Sequence, residues 1–241
     1  WLTHPYRDPP GGQAPDYRGY GTQSDDAVTD YLRGCVERNL QVNVHVNGDA
    51  AADQMFRCYQ RALGAAGPQA ELRPVMVHAQ TVREDQLDAM KRLGILPTFF
   101  LDHIWYWGDY HYESVLGPER ANRLSPAASA LKRGLSFTLH QDPPVKMPDQ
   151  LLAIHNAVNR ETPKGRILGE AQRLSVMDAI RAVTINGAYQ YFEEDTKGSL
   201  EAGKYADLVI LDRSPLRTAP SQLKTIQVLE TLKQGERIFV K

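Results

Sequence analysis

The chain has 241 residues, of which 42% are apolar and 24% are charged, and its formal net charge is −1 at pH 7. That length suffices for one large or two small domains. The near-neutral charge excludes bulk electrostatic attraction, so neither nucleic acid nor an anionic membrane is expected as a partner. No run approaches the roughly 18 apolar residues of a membrane-spanning helix.

The sequence contains two cysteines, Cys35 and Cys58, and both occupy apolar positions of predicted helices. Buried free thiols are therefore expected rather than a disulfide, which favours a reducing compartment and a cytoplasmic location. The chain starts at Trp1 rather than at Met, and we expect it to be a piece of a longer protein.

Strand and helix patterns alternate along the chain after an irregular start, rich in proline and glycine, at 1–23. Helices are predicted where apolar residues recur every three or four positions behind a capping residue, and strands where short β-prone runs end in a turn. The first predicted elements are a helix from Ser24, a strand at 40–46, a helix from Asp49 to Gly64, a strand at 74–79, a helix behind a Thr81–Glu84 capping box and a strand at 95–101. This alternation indicates an α/β fold.

The second half continues the alternation and then changes character near residue 197. The predicted α/β elements are a short helix from Ser125 to Gly134, a strand at 135–139, a helix around 151–158 and a helix from a Ser175–Asp178 capping box towards Gly187. The predicted β elements are a hairpin-like stretch at 198–212 and strands at 226–232 and 237–240 around Gly235. We therefore divide the chain into an α/β part, residues 1–196, and a C-terminal β-module, residues 197–241.

Three strand-like runs end in a residue that can bind a metal ion: His45, His78 and Asp142. From His45 to His78 is 33 residues and from His78 to Asp142 is 64, which correspond to one and two strand–helix units of roughly 30 residues. Parallel neighbouring strands would thus aim the three side chains at one centre. Two imidazoles and a carboxylate suit zinc or a similar divalent metal, although each could instead be an ordinary strand-end residue.

The backbone of Asp142 is expected to be extended, because Pro143 follows it and disfavours the right-handed helical region. The segment His103–Tyr112 holds five aromatic residues in ten positions, directly after the predicted strand at 95–101. We expect a strand-to-helix loop that forms a pocket wall or lid beside the metal centre. The alternative is a loop that its rings only anchor to the body. His155, on or beside the apolar face of a predicted helix, is interpreted as a packing residue.

Motifs over nearly the whole chain resemble the amidohydrolase superfamily, and within it amidohydrolase family 3, the N-substituted formamide deformylase type. They are Val44–Asp49, Val77–Gln80, His140–Val145, Ala182–Ala188 and Lys197–Asp212, in the order that the family has them. The resemblance implies a (β/α)8 TIM-type barrel, of which residues 1–196 would hold strands five to eight. Residues 197–241 would supply the C-terminal strands of a small β-sandwich.

The resemblance implies a metal-dependent hydrolase of a C–N bond in an amide, formamide or cyclic amide. His45 and His78 would be metal ligands, and Asp142 would be both a ligand and the catalytic base that takes the proton of the attacking water. The cofactor would be one or two divalent ions, with zinc the first choice. The partner would be a small-molecule amide-type substrate.

Four further residues are expected to contact that substrate. They are His103, Trp105, Trp107 and His140. His140 precedes Asp142 by two residues, so on a strand both side chains would point the same way. His140 could therefore also support the ligands or bind the metal itself.

The sequence departs from the family because no His-X-His pair, which the superfamily carries on strand one, occurs before His45. The bridging residue of strand four is not placed either. We therefore expect a missing barrel half, or a homo-oligomer partner, and weak metal binding and little hydrolysis by the chain alone. The alternative function is a non-catalytic, metal-poor partial barrel that serves as an association or structural domain. A phosphate-binding barrel is disfavoured, because no glycine-rich phosphate loop ends a strand.

Overall fold

Four short parallel strands form the centre of the larger part of the molecule in a computed structural model, which describes residues 1–67 and 72–241. The strands are β1 Asn43–Val46, β2 Val75–His78, β3 Leu96–Phe99 and β4 Thr138–Leu139. They lie side by side in chain order, with His45 opposite Val77 and Val77 opposite Thr98. Successive strand–helix units produce this order, so the predicted α/β alternation is confirmed.

Helices connect these strands and pack against the sheet, α2 against β1 and both α8 and α9 against β4. The helices are α1 Asp25–Glu37, α2 Asp49–Leu63, α3 Glu84–Leu93, α4 Asp102–Tyr110, α5 Gly117–Ala121, α6 Ala127–Lys132, α7 Gln150–Asn159, α8 Val176–Val183 and α9 Ile185–Gln190. Within the described ranges, none combines the length and apolar character of a membrane span. Cys35 and Cys58 are free thiols, as predicted, but only Cys58 is buried and Cys35 is half-buried.

The core lies between the helices and one face of the sheet. Met76 of β2 and Phe99 of β3 are fully buried in one cluster with Leu87 of α3. Burying a side chain of this size contributes about 1.5–3 kcal/mol. On β1 the other face is open: His45 is exposed, whereas Val46 is buried in the core. The sheet therefore presents one covered face and, at the β1 edge, one that the described residues leave open.

The C-terminal part forms a separate antiparallel sheet, so its predicted β character is confirmed, but the predicted hairpin-like stretch at 198–212 supplies only one strand, which pairs with the strand at Val228–Lys233. Its strands are β5 Leu208–Leu211, β6 Val228–Lys233 and β7 Glu236–Val240. All five residues of β7 are exposed, and Ile238 and Phe239 are among them. Exposed apolar patches of this kind mark surfaces that associate with other protein.

The predicted loop at 103–112 is wrong, because the segment is helical. It forms α4 and continues into a π-helical turn at His111–Val115. A loop was predicted because aromatic residues have only modest helix propensity. The helix is held instead by tertiary contacts that begin with Asp102 in its first turn, where the side chain is buried against Asn156 of α7.

Two details of helix boundaries also differ from prediction. At the start of α3 the Gln86 side chain accepts the Arg83 backbone N–H at 3.0 Å, which is one half of a capping box. Thr81 instead donates its hydroxyl to the Asn47 carbonyl at 2.8 Å, so the predicted Thr81–Glu84 box is wrong. The last predicted helix is interrupted at Thr184, where α8 ends and α9 begins.

Candidate metal centre

His78 is the last residue of β2 and is only 2% exposed. Its backbone φ is +72°, and that of Ala79 is +46°, so two consecutive residues lie in the left-handed region. For residues other than glycine this conformation costs roughly 1–2 kcal/mol each. The chain therefore turns sharply off the sheet directly after the imidazole.

His140 follows β4, and its backbone N–H donates to the Phe99 carbonyl at 3.0 Å, which extends the β3–β4 pairing. Its Nε2 lies 3.1 Å from His78 Nδ1, and its Nδ1 lies 3.0 Å from the Thr98 hydroxyl. One face of its ring stacks on Phe100, with the ring centroids 5.5 Å apart. These contacts fix the two imidazoles as a pair at the carboxyl ends of β2 and β4.

Asp142 lies just beyond this pair, with Oδ2 3.9 Å from His78 Nε2. Its φ is +52°, so the extended backbone predicted for it is wrong. Pro143 does disfavour the right-handed helical region, but the left-handed region stays open to aspartate. The side chain is 40% exposed. Ligand atoms of His78, His140 and Asp142 all lie within 4.8 Å of one another.

His45 stands beside this group on the edge strand β1. Its ring meets the His78 ring edge-on, with the centroids 4.6 Å apart, and it is exposed. The structure thus groups the predicted metal residues His78 and Asp142 with His140, and it places His45 beside His78. That these residues bind metal stays a prediction.

The predicted substrate residues on α4 separate into two groups. His103 lies 5.4 Å from His78 and Trp107 lies 5.3 Å from His103, measured between ring centroids. Trp105 instead lies under Lys224, whose Nζ is 5.2 Å from its ring centroid. The structure therefore places Trp107 beside the centre and Trp105 towards the C-terminal part of the chain.

Three polar or aromatic neighbours of the centre were missed in the sequence. Thr98 contacts His140, Phe100 packs between His140 and His103, and Gln80 Nε2 lies 3.0 Å from His111 Nε2. Of these three, only Thr98 could have been noticed in the sequence, because it is the one hydroxyl residue within the apolar run at 95–101.

Burial keeps the imidazoles of this region neutral near pH 7. Burial first, and the neighbouring imidazoles second, lower the pKa of His103 and of His140 to about 3. Burial lowers the pKa of His111 to about 4 and also lowers the pKa of His78, where His45 adds to the effect and Asp142 opposes it. Neutral imidazoles keep the lone pair that metal binding requires.

The donor set suits a divalent transition metal. Two ligands of a tetrahedral zinc, with bonds of about 2.0–2.2 Å, lie roughly 3.3 Å apart. The 3.1 Å contact with His140 uses His78 Nδ1, whereas the 3.9 Å contact with Asp142 uses His78 Nε2. An ion held by all three residues would take one of these two nitrogens, and the side chain at the other contact would have to move towards it. His103 Nδ1 and His111 Nδ1 are buried with no hydrogen-bond partner among the described residues. Both nitrogens are therefore free to contact a further group beside the site.

Comparison with known proteins relates the chain to metal-dependent hydrolases. A family model described as the amidohydrolase family matches residues 1–239. N-substituted formamide deformylase of Arthrobacter pascens is 28% identical over 90% of this chain and 40% of its own length. A metal-dependent hydrolase of Pyrococcus furiosus superposes with a TM-score of 0.73, at 27% identity, over 90% of this chain and 42% of its own. The chain thus spans less than half the length of each of these two relatives.

Proposed function

This chain belongs to the amidohydrolase family, and we propose that it is part of a metal-dependent hydrolase that cleaves a C–N bond with an activated water. The observation that carries this is the group of His78, His140 and Asp142, which lies where the parallel strands end at their carboxyl side. Active sites of parallel α/β barrels occupy that end of the strands. His45, at the same end of β1, belongs to the proposed site.

His78, His140 and Asp142 would hold the first ion, and His45 would add a donor from the edge strand. Zinc is the first candidate, since neutral imidazole and carboxylate are its common ligands. When bound there, the ion would lower the pKa of a water towards neutrality and polarise the substrate carbonyl. The Thr98 hydroxyl, 3.0 Å from His140 Nδ1, would fix which ring nitrogen of His140 is free.

Asp142 is proposed as the general base. Its carboxylate is half-exposed at the edge of the group, so a water and a substrate can both reach it. It would accept the proton of the attacking water and pass that proton to the leaving nitrogen. His78 and His140 are less suited to this role, because each already faces the other and burial disfavours their protonated forms.

The proposed substrate is a small amide, with N-substituted formamides first, since a relative is named for them. His103 and Trp107 would line the substrate space, and the exposed indole of Trp107 would contact an apolar substituent. His140 would contact substrate only in addition to its ligand role. Trp105, beside Lys224, would reach only a longer substrate.

Residues 1–196 are proposed to be strands five to eight of a (β/α)8 barrel, with 197–241 as part of a β-sandwich. The open face of β1 and the exposed strand β7 support this, because residues 1–67 and 72–241 leave both surfaces uncovered. The remaining barrel half, from the same or another polypeptide, would supply the further ligands. If no such half associates, the alternative function, a non-catalytic association domain, is favoured over the hydrolase.

The test compares the chain with a longer protein that restores the proposed N-terminal half. Zinc content and hydrolysis of N-substituted formamides are measured for both, and the longer protein is expected to exceed the chain in each. In the longer protein, Asp142→Asn is expected to lower the rate by about 10²–10⁴-fold with the fold intact.

Asp16→Asn is the matched control, since Asp16 is exposed in the N-terminal segment, and it is expected to leave the rate unchanged. Full activity in Asp142→Asn would remove the proposed base. Equal turnover by the chain alone and by the longer protein would show that the ligands present here are sufficient.

A further inference from the structure

The loop that follows Asp142 has a single inward-facing side chain. Residues 143–145 and 147–148 are all exposed, and the structure describes the whole loop. The Lys146 side chain is only 10% exposed. A lysine folded inward from an otherwise exposed loop loses hydration and rotamer freedom, so some contact must hold it there.

That contact is an ion pair with Asp102, the first residue of α4. Lys146 Nζ lies 2.8 Å from Asp102 Oδ2, and Asp102 is 1% exposed. Neither atom has a well-aligned hydrogen bond among the described residues, so the contact is an ion pair rather than a directed bond. The other Asp102 oxygen accepts from Asn156 of α7. A buried pair of this kind gives little net stability over apolar residues of the same size.

The base of the same loop is closed independently. Gln141, buried beside β4, accepts from the Asp149 backbone N–H and donates to the Asp149 carbonyl. Within the loop, the Val145 N–H donates to the Asp142 carbonyl at 2.8 Å. The segment from Asp142 to Asp149 is thus tied at its base by Gln141 and at its middle by Lys146.

We propose that Lys146 is a positioning residue for the metal centre. Its ion pair holds the loop that presents Asp142 against the helix that carries His103. Asp102 immediately precedes His103, so the pair joins the two segments that flank His78 on this side. The inference rests on the proposed function for the role of Asp142, but the position of the loop can be measured without metal or substrate. An error of about 1 Å in such a supporting contact can cost on the order of 100-fold in rate.

The first test is amide hydrogen exchange of the full chain without metal. Lys146→Met leaves Asp102 buried without its counter-charge, so the decisive variant is Lys146→Met with Asp102→Asn, which removes both charges. Exchange of the Val145 N–H, which donates to the Asp142 carbonyl, is expected to become at least 10-fold faster, while residues 75–78 of β2 stay unchanged.

Lys164→Met is the matched control, because Lys164 forms an exposed ion pair with Glu113 at 2.9 Å and should leave residues 142–149 unaffected. Unchanged exchange in the double variant would overturn the inference. A double variant that does not fold would also overturn it, because the pair would then serve folding rather than loop position.

The second test is titration with Co²⁺, followed by visible absorption. The double variant is expected to bind about 10-fold more weakly, with a spectrum that moves towards that of Asp142→Asn, because the carboxylate is no longer held at the site. Wild-type affinity and an unchanged spectrum in the double variant would overturn the inference and leave the proposed function standing. If the wild-type chain binds no Co²⁺, the metal site proposed for this chain fails, and the exchange experiment alone decides the role of Lys146.

Discussion

His78 is buried and His140 is half-buried, and both contact Phe100, whereas His45 is exposed and the Asp142 side chain is 40% exposed. His78 ends β2 and His140 follows β4, and the hydrogen bonds of both strands to β3 hold this pair in place. His45 lies on the edge strand, and Asp142 lies in a turn beyond β4. The two sides of the centre therefore depend on different parts of the molecule.

This difference shows what the chain can organise by itself. The orientation of the imidazole pair is fixed by contacts within the described residues. The position of the outer ligands depends on one loop and on an edge strand whose other side the described residues leave open. The described residues thus fix the His78–His140 pair, whereas the proposed outer ligands rest on fewer contacts.

The largest expected effect is the loss of stability in acid, which tests how completely His103 and His140 are shielded from water. The pKa of His103 and of His140 is about 3 in the folded chain and near the ordinary 6.5 when unfolded. Below pH 6.5 these two imidazoles therefore become protonated in the unfolded chain but stay neutral in the folded chain. Stability is fully present above that pH and falls towards pH 3, by at most about 1.4 kcal/mol per pH unit for each histidine.

The measurement is the free energy of unfolding by urea between pH 5 and pH 7, where ordinary carboxylates are still ionised. His140→Gln is expected to reduce the slope. If stability is level across this range, or the slope is the same in the variant, His103 and His140 are more hydrated than the structure shows.

A second, smaller effect separates the two sides by metal affinity. His78→Ala is expected to weaken zinc binding by more than about 100-fold, because it removes the residue that all the other donors surround. His45→Ala is expected to weaken it by about 10-fold or less. A competition titration against a chelating dye measures both, and equal losses would abolish the distinction between a buried and an outer side.

The smallest expected effect concerns the support of the buried pair. Thr98→Val keeps the shape of the side chain and removes the hydroxyl that contacts His140 Nδ1, so zinc affinity is expected to fall by about 10-fold. Thr138→Val is the matched control, since its buried hydroxyl bonds Gln190 at 2.7 Å instead of a histidine. Comparable losses of zinc affinity in both variants would mean that the hydroxyl acts on stability rather than on the ligand.

The strands and most helix starts were predictable because their signals are local. The apolar runs that end at His45 and His78 placed β1 and β2 within a few residues. The Ser175 cap was also correct, since its hydroxyl accepts the Asp178 N–H at 3.1 Å. The spacing between strand ends was enough to bring the predicted metal residues to one end of the sheet.

What escaped prediction depends on contacts between distant segments. The Thr98–His140 contact follows from the register of β3 against β4, which no local pattern encodes. Helix α4 forms despite its aromatic composition because Asp102 is fixed by residues of α7 and of the loop after β4. The left-handed backbone of Asp142 was missed because a following proline excludes one region without selecting another.

The left-handed backbone at His78 and Asp142 has a consequence for how this sequence can vary. Glycine would adopt those angles at lower cost, so selection for thermal stability alone would favour it at both positions. The chain has a histidine and an aspartate at these positions instead, and both lie beside the proposed metal. Stabilised variants obtained by random mutagenesis would therefore tend to lose the centre first, and any stabilisation effort should hold these two codons fixed.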